Sequence, residues 1–512
     1  MRQCILMKFL CQRRLLAFVS GMMMMTMLNA QWREMQFDES DMALDLAEAF
    51  TFQKYPTYGQ YLEMMQYYAI QYPEICRLDT FGTSVEGRML LALKISDHVK
   101  EDEPEASFLY SSSMHGDELV GIVLMLRLAD HLLKGYGTDN EVTGLVDSLA
   151  IWINPVANPD GSYSADNNIS LENSNRLTVR DFDLNRNFPD PGVPEPDDTT
   201  GRALENQYMM QFLRDHGFTL SANIHSGTEV VNYPWDFTHE PHADDDWYRF
   251  ISREYADEAM AVNPDYMFGW PDDGITNGAE WFIVHGSRQD YVNYYLEGRE
   301  VTLELSAEFR LASIYLEEHW NINRRSLLNY MAQCMYGIRG QVTDLENGDP
   351  VEAQIQIPGH DSPISVVHSG TDHGDFYRLI KEGVYDLVVS AQGYLNDTIM
   401  SVSVTDYSVT YLNIQLTRDP KTGLSHPAEA PEFRLYPNPA DQILYIVPDH
   451  VQHGEVNLKI ISPDGRIVFN TILPITGDPS ELHLGHLNSG VYFFQFNSKH
   501  FTGTYRILIH HP

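Results

Sequence analysis

Between about Tyr55 and Gly337, short apolar runs alternate with longer segments of helical period. "LLALKIS", "ASFLYSSS", "LAIWINP", "FTLSANIHS" and "REVTLELS" each read as a buried strand. "LVGIVLMLRLADHLL", "ENQYMMQFLRDHG" and "DWYRFISREYADEAMA" carry apolar positions three and four apart, as helices do. The alternation predicts an α/β fold with a mixed, largely parallel sheet and flanking helices. After Gly337 the period changes: "GIRGQVTD", "VEAQIQIPG", "YDLVVSAQGY" and "TIMSVSVTD" are strands broken by Gly, Asp and Pro, with no helical pattern. "TRDPKTGLSHPAEAPE" is polar and Pro-containing and reads as a linker. A second all-β unit begins at Phe433.

Length and charge narrow the class. With 512 residues the chain is long enough for about two to four domains. Its 34 Lys and Arg against 72 Asp and Glu leave a formal net charge of −38. That argues against nucleic acid and anionic membrane surfaces as partners. Arg13 and Arg14 precede the apolar run "LLAFVSGMMMMTML", and Ala30 precedes Gln31, which is the pattern of a cleaved signal peptide. The run is too short for a transmembrane span, so none is expected in the mature chain. Cys76 and Cys334 remain after cleavage and allow at most one disulfide. The expected organisation is a signal peptide over 1–30, a lead segment over 31–50, the α/β domain over 51–336, a β-domain over 337–417, a linker over 418–432 and a terminal β-domain over 433–512.

Ligands of an open α/β sheet bind at the carboxyl ends of its strands. His115 and Glu118 follow "ASFLYSSS", His225 ends "FTLSANIHS", and Glu304 sits late in "REVTLELS". Two imidazoles and one carboxylate suit a zinc site that keeps one position open, and Glu304 could then take a proton from water. A His and a Glu three residues apart also arise by chance, and a lone histidine is more often structural. "RDFDLNRNFPD" offers Asp183, Asn185 and Arg186, whose fork and amide suit a carboxylate, although the stretch taken alone reads better as a solvated turn.

Taken together, "GTSVEGRMLLALKIS", "HGDE", "NPVANPDG", "DLNRNFPD", "NIHSGTEVVNYPWD", "ITNGAEW" and "EVTLELS" resemble, in order, a zinc carboxypeptidase of the funnelin family, which includes carboxypeptidase A and the regulatory carboxypeptidases. The resemblance implies one Zn2+ per chain held by His115, Glu118 and His225, with Glu304 as general base. Arg176 would stabilise the oxyanion. Asn185 and Arg186 would hold the substrate's terminal carboxylate, and Asp183 would orient a ligand imidazole. Gln289 and Asp236 stand where regulatory members form a pocket for C-terminal Lys or Arg, with Arg288 adjacent as a charge that would oppose it if turned inward. Phe282 stands where the family usually has a tyrosine that closes over substrate, so a phenol hydroxyl is missing.

Residues from Gly337 to about Leu416 resemble the transthyretin-like domain of regulatory carboxypeptidases. "LYPNPA", "SPDGRIV" and "LNSGVYFFQF" resemble the C-terminal sorting domain of the type IX secretion system of Gram-negative bacteria, although the chain ends "ILIHHP" without the basic residues usual there. The segment from Gln31 to Thr51 is too short for the bulky activation domain of the digestive members. The expectation is a monomeric metallocarboxypeptidase, secreted or attached to the cell surface, acting on peptide or protein C-termini and engaging the secretion machinery through its tail. Two other functions share these features: a catalytically weak protein that binds peptide C-termini, and a zinc amidohydrolase of acylated amino acids.

Overall fold

The computed structural model describes residues 37–511, except 164–167, 194–195, 270–271, 421–432, 449–453, 464–465, 476–478 and 498–501. The expected signal peptide and nearly all of the expected linker lie outside the described residues. Eight strands form the first sheet: β1 (Cys76–Thr83), β2 (Met89–Ile95), β3 (Ala106–Ser112), β4 (Leu149–Asn154), β5 (Leu220–His225), β6 (Thr228–Tyr233), β7 (Ile275–Asn277) and β8 (Arg299–Ser306). Their order is β1-β2-β4-β3-β5-β8-β6-β7. The central strands β4, β3, β5 and β8 run parallel, whereas β1–β2, β2–β4 and β6–β8 are antiparallel.

Central strands are almost wholly buried because both faces are covered. On β3 and β4, Phe108, Tyr110, Ile151 and Ile153 enter one core, while Leu109 and Trp152 enter the other. The first core is closed by helices Val120–Gly135, Asp245–Val262 and Leu316–Ala332, and the second by Leu204–His216. This alternation follows from strand geometry, in which successive side chains point to opposite faces. Cys76 and Cys334 are buried and unbonded, so the one disulfide the sequence allowed does not form.

From Gly337 the chain forms two small sheets around a separate apolar core. One has β10 (Gln354–Gln356), β11 (Val367–His368), β13 (Gly383–Ser390) and β14 (Asp397–Val404). The other has β9 (Gly337–Asp344), β12 (Asp375–Arg378) and β15 (Val409–Leu416), with β9 and β15 parallel. A buried ion cluster joins this sandwich to the α/β part. Asp244 accepts from Arg378 Nη1 at 2.9 Å and Nη2 at 2.6 Å, from Arg299 Nη2 at 2.9 Å, and pairs with His360 Nε2 at 2.8 Å. Arg378 also reaches Asp361 at 2.6 Å.

The terminal β-unit folds around its own core. Its sheets are β16 (Phe433–Tyr436), β17 (Ile443–Pro448) and β20 (Ser480–His483), and β18 (Gly454–Ile461), β19 (Ile467–Ile475), β21 (Gly490–Asn497) and β22 (Thr502–Ile509). No helix among the described residues is long and apolar enough to cross a membrane.

Candidate active site

Strand register brings the chemistry together. His225 is the last residue of β5 and pairs directly with Glu304 of β8. On β5's other side β3 ends at Ser112, and the chain turns through Ser113, at φ +54°, to His115 and Glu118. The helix begins only at Val120, so His115 and Glu118 stand in the strand-to-helix turn. That turn is packed tightly: a β-carbon on Gly116 would come within 2.2 Å of the Gly161 backbone, so only glycine fits. Ser113 Oγ donates to Glu118 O at 2.9 Å, and Leu119 N donates to Phe309 O at 2.9 Å, fixing the turn from both sides.

His115 Nδ1 lies 2.7 Å from Glu118 Oε1, His225 Nδ1 lies 2.7 Å from Glu118 Oε2, and the two Nδ1 atoms are 3.0 Å apart. All three side chains are buried. Ligands of a tetrahedral zinc, each about 2.0–2.1 Å from the ion, stand roughly 3.3 Å from one another, so a slight opening of this cluster accommodates one. His115 Nε2 pairs with Asp183 Oδ1 at 3.0 Å, which assigns the proton to Nε2 and leaves the Nδ1 lone pair facing the cluster. The donor set therefore fits zinc. Two other His–carboxylate groups exist among the described residues. Asp97, His98 and Glu103 include an exposed histidine, and Asp244, His360 and Asp361 already hold two guanidinium groups.

Electrostatics follow from burial and proximity. Burial pushes the Glu118 carboxyl upward, but His115 and His225 outweigh it and bring it down to about 2. Burial, then the Glu118 charge, holds Glu304 well above the usual carboxylate range, and its Oε2 has no hydrogen-bond partner among the described residues. Arg176 reaches Asp183 at 3.1 Å and Glu118 at 3.3 Å.

One cavity of about 220 Å³ is bordered by His115, Glu118, His225, Glu304, Arg176, Asn185, Arg186, Asp236 and Phe282. Arg288 N donates to Asn185 Oδ1 at 2.9 Å, which leaves the Asn185 amide nitrogen free to donate elsewhere. Phe282 is 47% exposed at the mouth and packs edge-on against Trp281.

One expectation needs correction. Gln289 does not border the cavity: it is fully buried behind Asp236, donating from Nε2 to Asp236 Oδ1 at 3.1 Å. Arg288, whose charge would oppose a cation if turned inward, does not border the cavity. It is fully buried against Glu300, with Nη2 2.8 Å from Oε2. Sequence reasoning also missed Ser226, Asn232, Thr302 and Phe309, all of which border the cavity. Two of them, Asn232 and Thr302, pair with each other across β6 and β8.

A larger cavity of about 730 Å³ lies by the first residues of β3 and β8, against the β-sandwich, among charged side chains such as Glu105, Arg214 and Asp372. None of the candidate residues borders it.

Comparison with known proteins agrees with this geometry. Residues 434–510 match the family model of a secretion system C-terminal sorting domain. The chain is 36% identical over 365 residues to carboxypeptidase D of Rattus norvegicus, covering 69% of this chain and 26% of that protein. It thus spans about a quarter of the length of that relative. It is 32% identical over 393 residues to the carboxypeptidase N catalytic chain of Mus musculus, covering 68% of this chain and 82% of that one. Among solved structures, thrombin activatable fibrinolysis inhibitor aligns with a TM-score of 0.48 at 17% identity, over 55% of this chain and 75% of that one. The zinc carboxypeptidase family model matches residues 61–326, more than half of the sequence and all of the residues gathered around the cavity, and the chain belongs to that family.

Proposed function

We propose that this protein is a secreted zinc metallocarboxypeptidase that removes the C-terminal residue of peptides or proteins, preferring Lys or Arg. The carrying observation is that one small cavity is bordered by the His115–Glu118–His225 cluster, by Glu304, by the donors Arg176, Asn185 and Arg186, and by the carboxylate of Asp236. Each part then has a role. Zinc held by His115, Glu118 and His225 would supply Lewis-acid chemistry and lower the pKa of water. Asn185 and Arg186 bind the terminal carboxylate, so a chain end is admitted and an internal segment is not. Glu304 takes the proton of the attacking water and passes it to the leaving amine. Arg176 donates to the oxyanion of the tetrahedral intermediate. Asp183 holds His115 in the tautomer that leaves Nδ1 free.

Asp236 sets the preference. It is buried, and that burial raises its carboxyl above the ordinary value against hydrogen bonds from Asn232 and Ser287. A cationic side chain satisfies it, whereas an apolar one leaves a buried carboxylate unpaired at a cost of about 1–3 kcal/mol or more. Arg288 is buried against Glu300 and does not border the cavity, so its charge does not face a bound cation. Export is assigned to a cleaved leader ending at Ala30 and to the sorting domain, read as a type IX secretion signal.

The test of specificity is kcat/KM for matched peptides ending in Arg, Lys, Phe and Leu, repeated with Asp236→Ala. A basic preference that collapses in the variant supports the reading. A preference for Phe or Leu that survives the substitution rejects the acidic pocket and leaves peptide hydrolysis in place.

A further inference from the structure

Arg288 and Glu300 form an ion pair that is wholly buried. Arg288 Nε lies 3.1 and 3.2 Å from the two Glu300 carboxylate oxygens, and Nη2 lies 2.8 Å from Oε2. Ser221 Oγ, on β5, donates to the same Oε2 at 2.6 Å. Both charges have given up their water, so such a pair adds little stability over neutral groups of similar volume. Its place in the fold gives it a different effect.

Glu300 shares one face of β8 with Thr302 and Glu304, because successive side chains alternate, and those two residues border the cavity. Arg288 is the first residue of the helix Arg288–Tyr295. Farther along that helix, Asn293 Nδ2 donates to Glu300 O at 2.9 Å, and Asn293 Oδ1 accepts from Glu300 N at 3.3 Å. The helix is therefore fixed at two points to the strand that carries the base. Its start in turn holds residues of the cavity wall. Arg288 N donates to Asn185 Oδ1 at 2.9 Å. Asp236 N donates to Asp290 Oδ1 at 2.9 Å. Just before the helix, Gly286 at φ +71° sits so close to Arg186 that a β-carbon would come within 2.8 Å of its carbonyl oxygen. Asn185, Arg186 and Asp236 border the cavity, whereas Gly286, Arg288 and Asp290 stand behind it.

We propose that Arg288 is a positioning residue for the substrate's terminal carboxylate: its buried pairing with Glu300 locks the helix start against β8, and with it the Asn185 amide that faces that carboxylate. This rests on the carboxypeptidase reading of Asn185 and Arg186. The guanidinium fork reaches both oxygens of Glu300 and so fixes direction as well as distance, which a point charge does not. With the helix start held, Arg288 N keeps Asn185 Oδ1 turned away and the amide nitrogen free to donate. With it loosened, Asn185 can turn its oxygen to the cavity, and an acceptor then meets a carboxylate that only accepts.

The experiment measures kcat, KM and Tm for wild type, Arg288→Met, Arg288→Lys and the double variant Arg288→Met with Glu300→Gln. The substrate is one peptide ending in Arg, as the free acid and as the C-terminal amide. Arg288→Met alone leaves a buried carboxylate without its cation and should melt well below wild type. The double variant leaves no unpaired charge and should melt near wild type, so it carries the test if the single variant does not fold. Arg288→Lys keeps the charge without the fork and reads the same quantity at the least cost to folding. The expected result is a KM for the free acid raised in all three, by about tenfold or more where the charge is gone, with kcat little changed. The preference for acid over amide should shrink with it. That preference is the deciding readout, since a merely structural role would be repaired once Tm recovers in the double variant. A double variant with wild-type Tm, KM and acid preference overturns the proposal, and so does a loss confined to kcat. Equal hydrolysis of acid and amide by wild type would instead reject the reading of Asn185 and Arg186 as carboxylate anchors, and the proposal with it.

Discussion

Asp244 offers a stability prediction that can be worked from distances. Its two carboxylate oxygens receive both terminal nitrogens of Arg378 at 2.6 and 2.9 Å, Arg299 Nη2 at 2.9 Å and Nε at 3.1 Å, and pair with His360 at 2.8 Å. Asp244 and Arg378 have no exposed surface, and Arg299 has almost none. Asp244→Asn keeps the shape but replaces one acceptor with a donor that faces guanidinium groups. Two buried cations are then left with Asp361 and backbone carbonyls. Breaking a buried pair in this way costs about 3–5 kcal/mol. At roughly 2 °C per kcal/mol for a unit this large, Tm should fall by about 6–10 °C. The assay is thermal unfolding followed by circular dichroism. Its pH dependence has a definite sign. Burial alone would raise the Asp244 carboxyl, but Arg378 and Arg299 outweigh it and hold it well below the usual range. A carboxyl depressed in the folded state stabilises above its unfolded pKa, near 3.9, and that contribution is lost as pH falls through the lower folded value. The gap between wild type and variant should therefore stay open from about pH 5 to 8 and narrow below about pH 4. A variant melting within about 1 °C of wild type at pH 7 would refute the claim that this cluster holds the sandwich against the α/β sheet.

Glu304→Gln keeps size and removes the proton acceptor, so kcat should fall by about 10²–10⁴-fold while metal analysis still finds zinc; an unimpaired variant would assign the base elsewhere. Burial raises the Cys76 thiol to about 12 and the Cys334 thiol higher still. Neither should react with an aromatic disulfide reagent in native protein, and both should react in denaturant; rapid native labelling would contradict their burial. Deleting residues 433–512 should leave active enzyme in the periplasm, as fractionation and peptidase assay would show. Unchanged release of the truncated chain outside the cell would refute the sorting role.

Much of the α/β architecture could be read from periodicity because buried central strands are apolar on both faces, and β2, β3, β4, β5 and β8 fall on the runs that suggest them. His115, Glu118, His225 and Glu304 drew notice because they fall at the carboxyl ends of strands and because the ordered motifs around them resemble one family; each alone was weak evidence. What the sequence hid depends on long-range geometry. Asp244 and Arg378 are separated by 134 positions, and nothing local marks either as a partner of the other. Gln289 was placed at the pocket by its match to the regulatory carboxypeptidases, yet in the helix Arg288–Tyr295 it lies behind Asp236. Arg288 was read as a charge that would oppose a cation if turned inward, and Glu300, on β8, holds it buried instead. Asn232 drew no notice because an asparagine in a strand has no periodic signature; its place on the cavity wall and its oxygen, unpartnered among the described residues, expose it.

The central claim is that the cavity at the ends of β3, β5 and β8 removes one residue from a chain end with the help of zinc. Mass spectrometry of a single peptide ending in Arg, incubated with the mature protein, tests it most directly. The account predicts loss of the terminal residue alone, arrest by a chelator, recovery on adding zinc, and no activity in His225→Ala, which should also have lost the metal. Internal cleavage products, or hydrolysis that persists unchanged in the chelator and in His225→Ala, would contradict it.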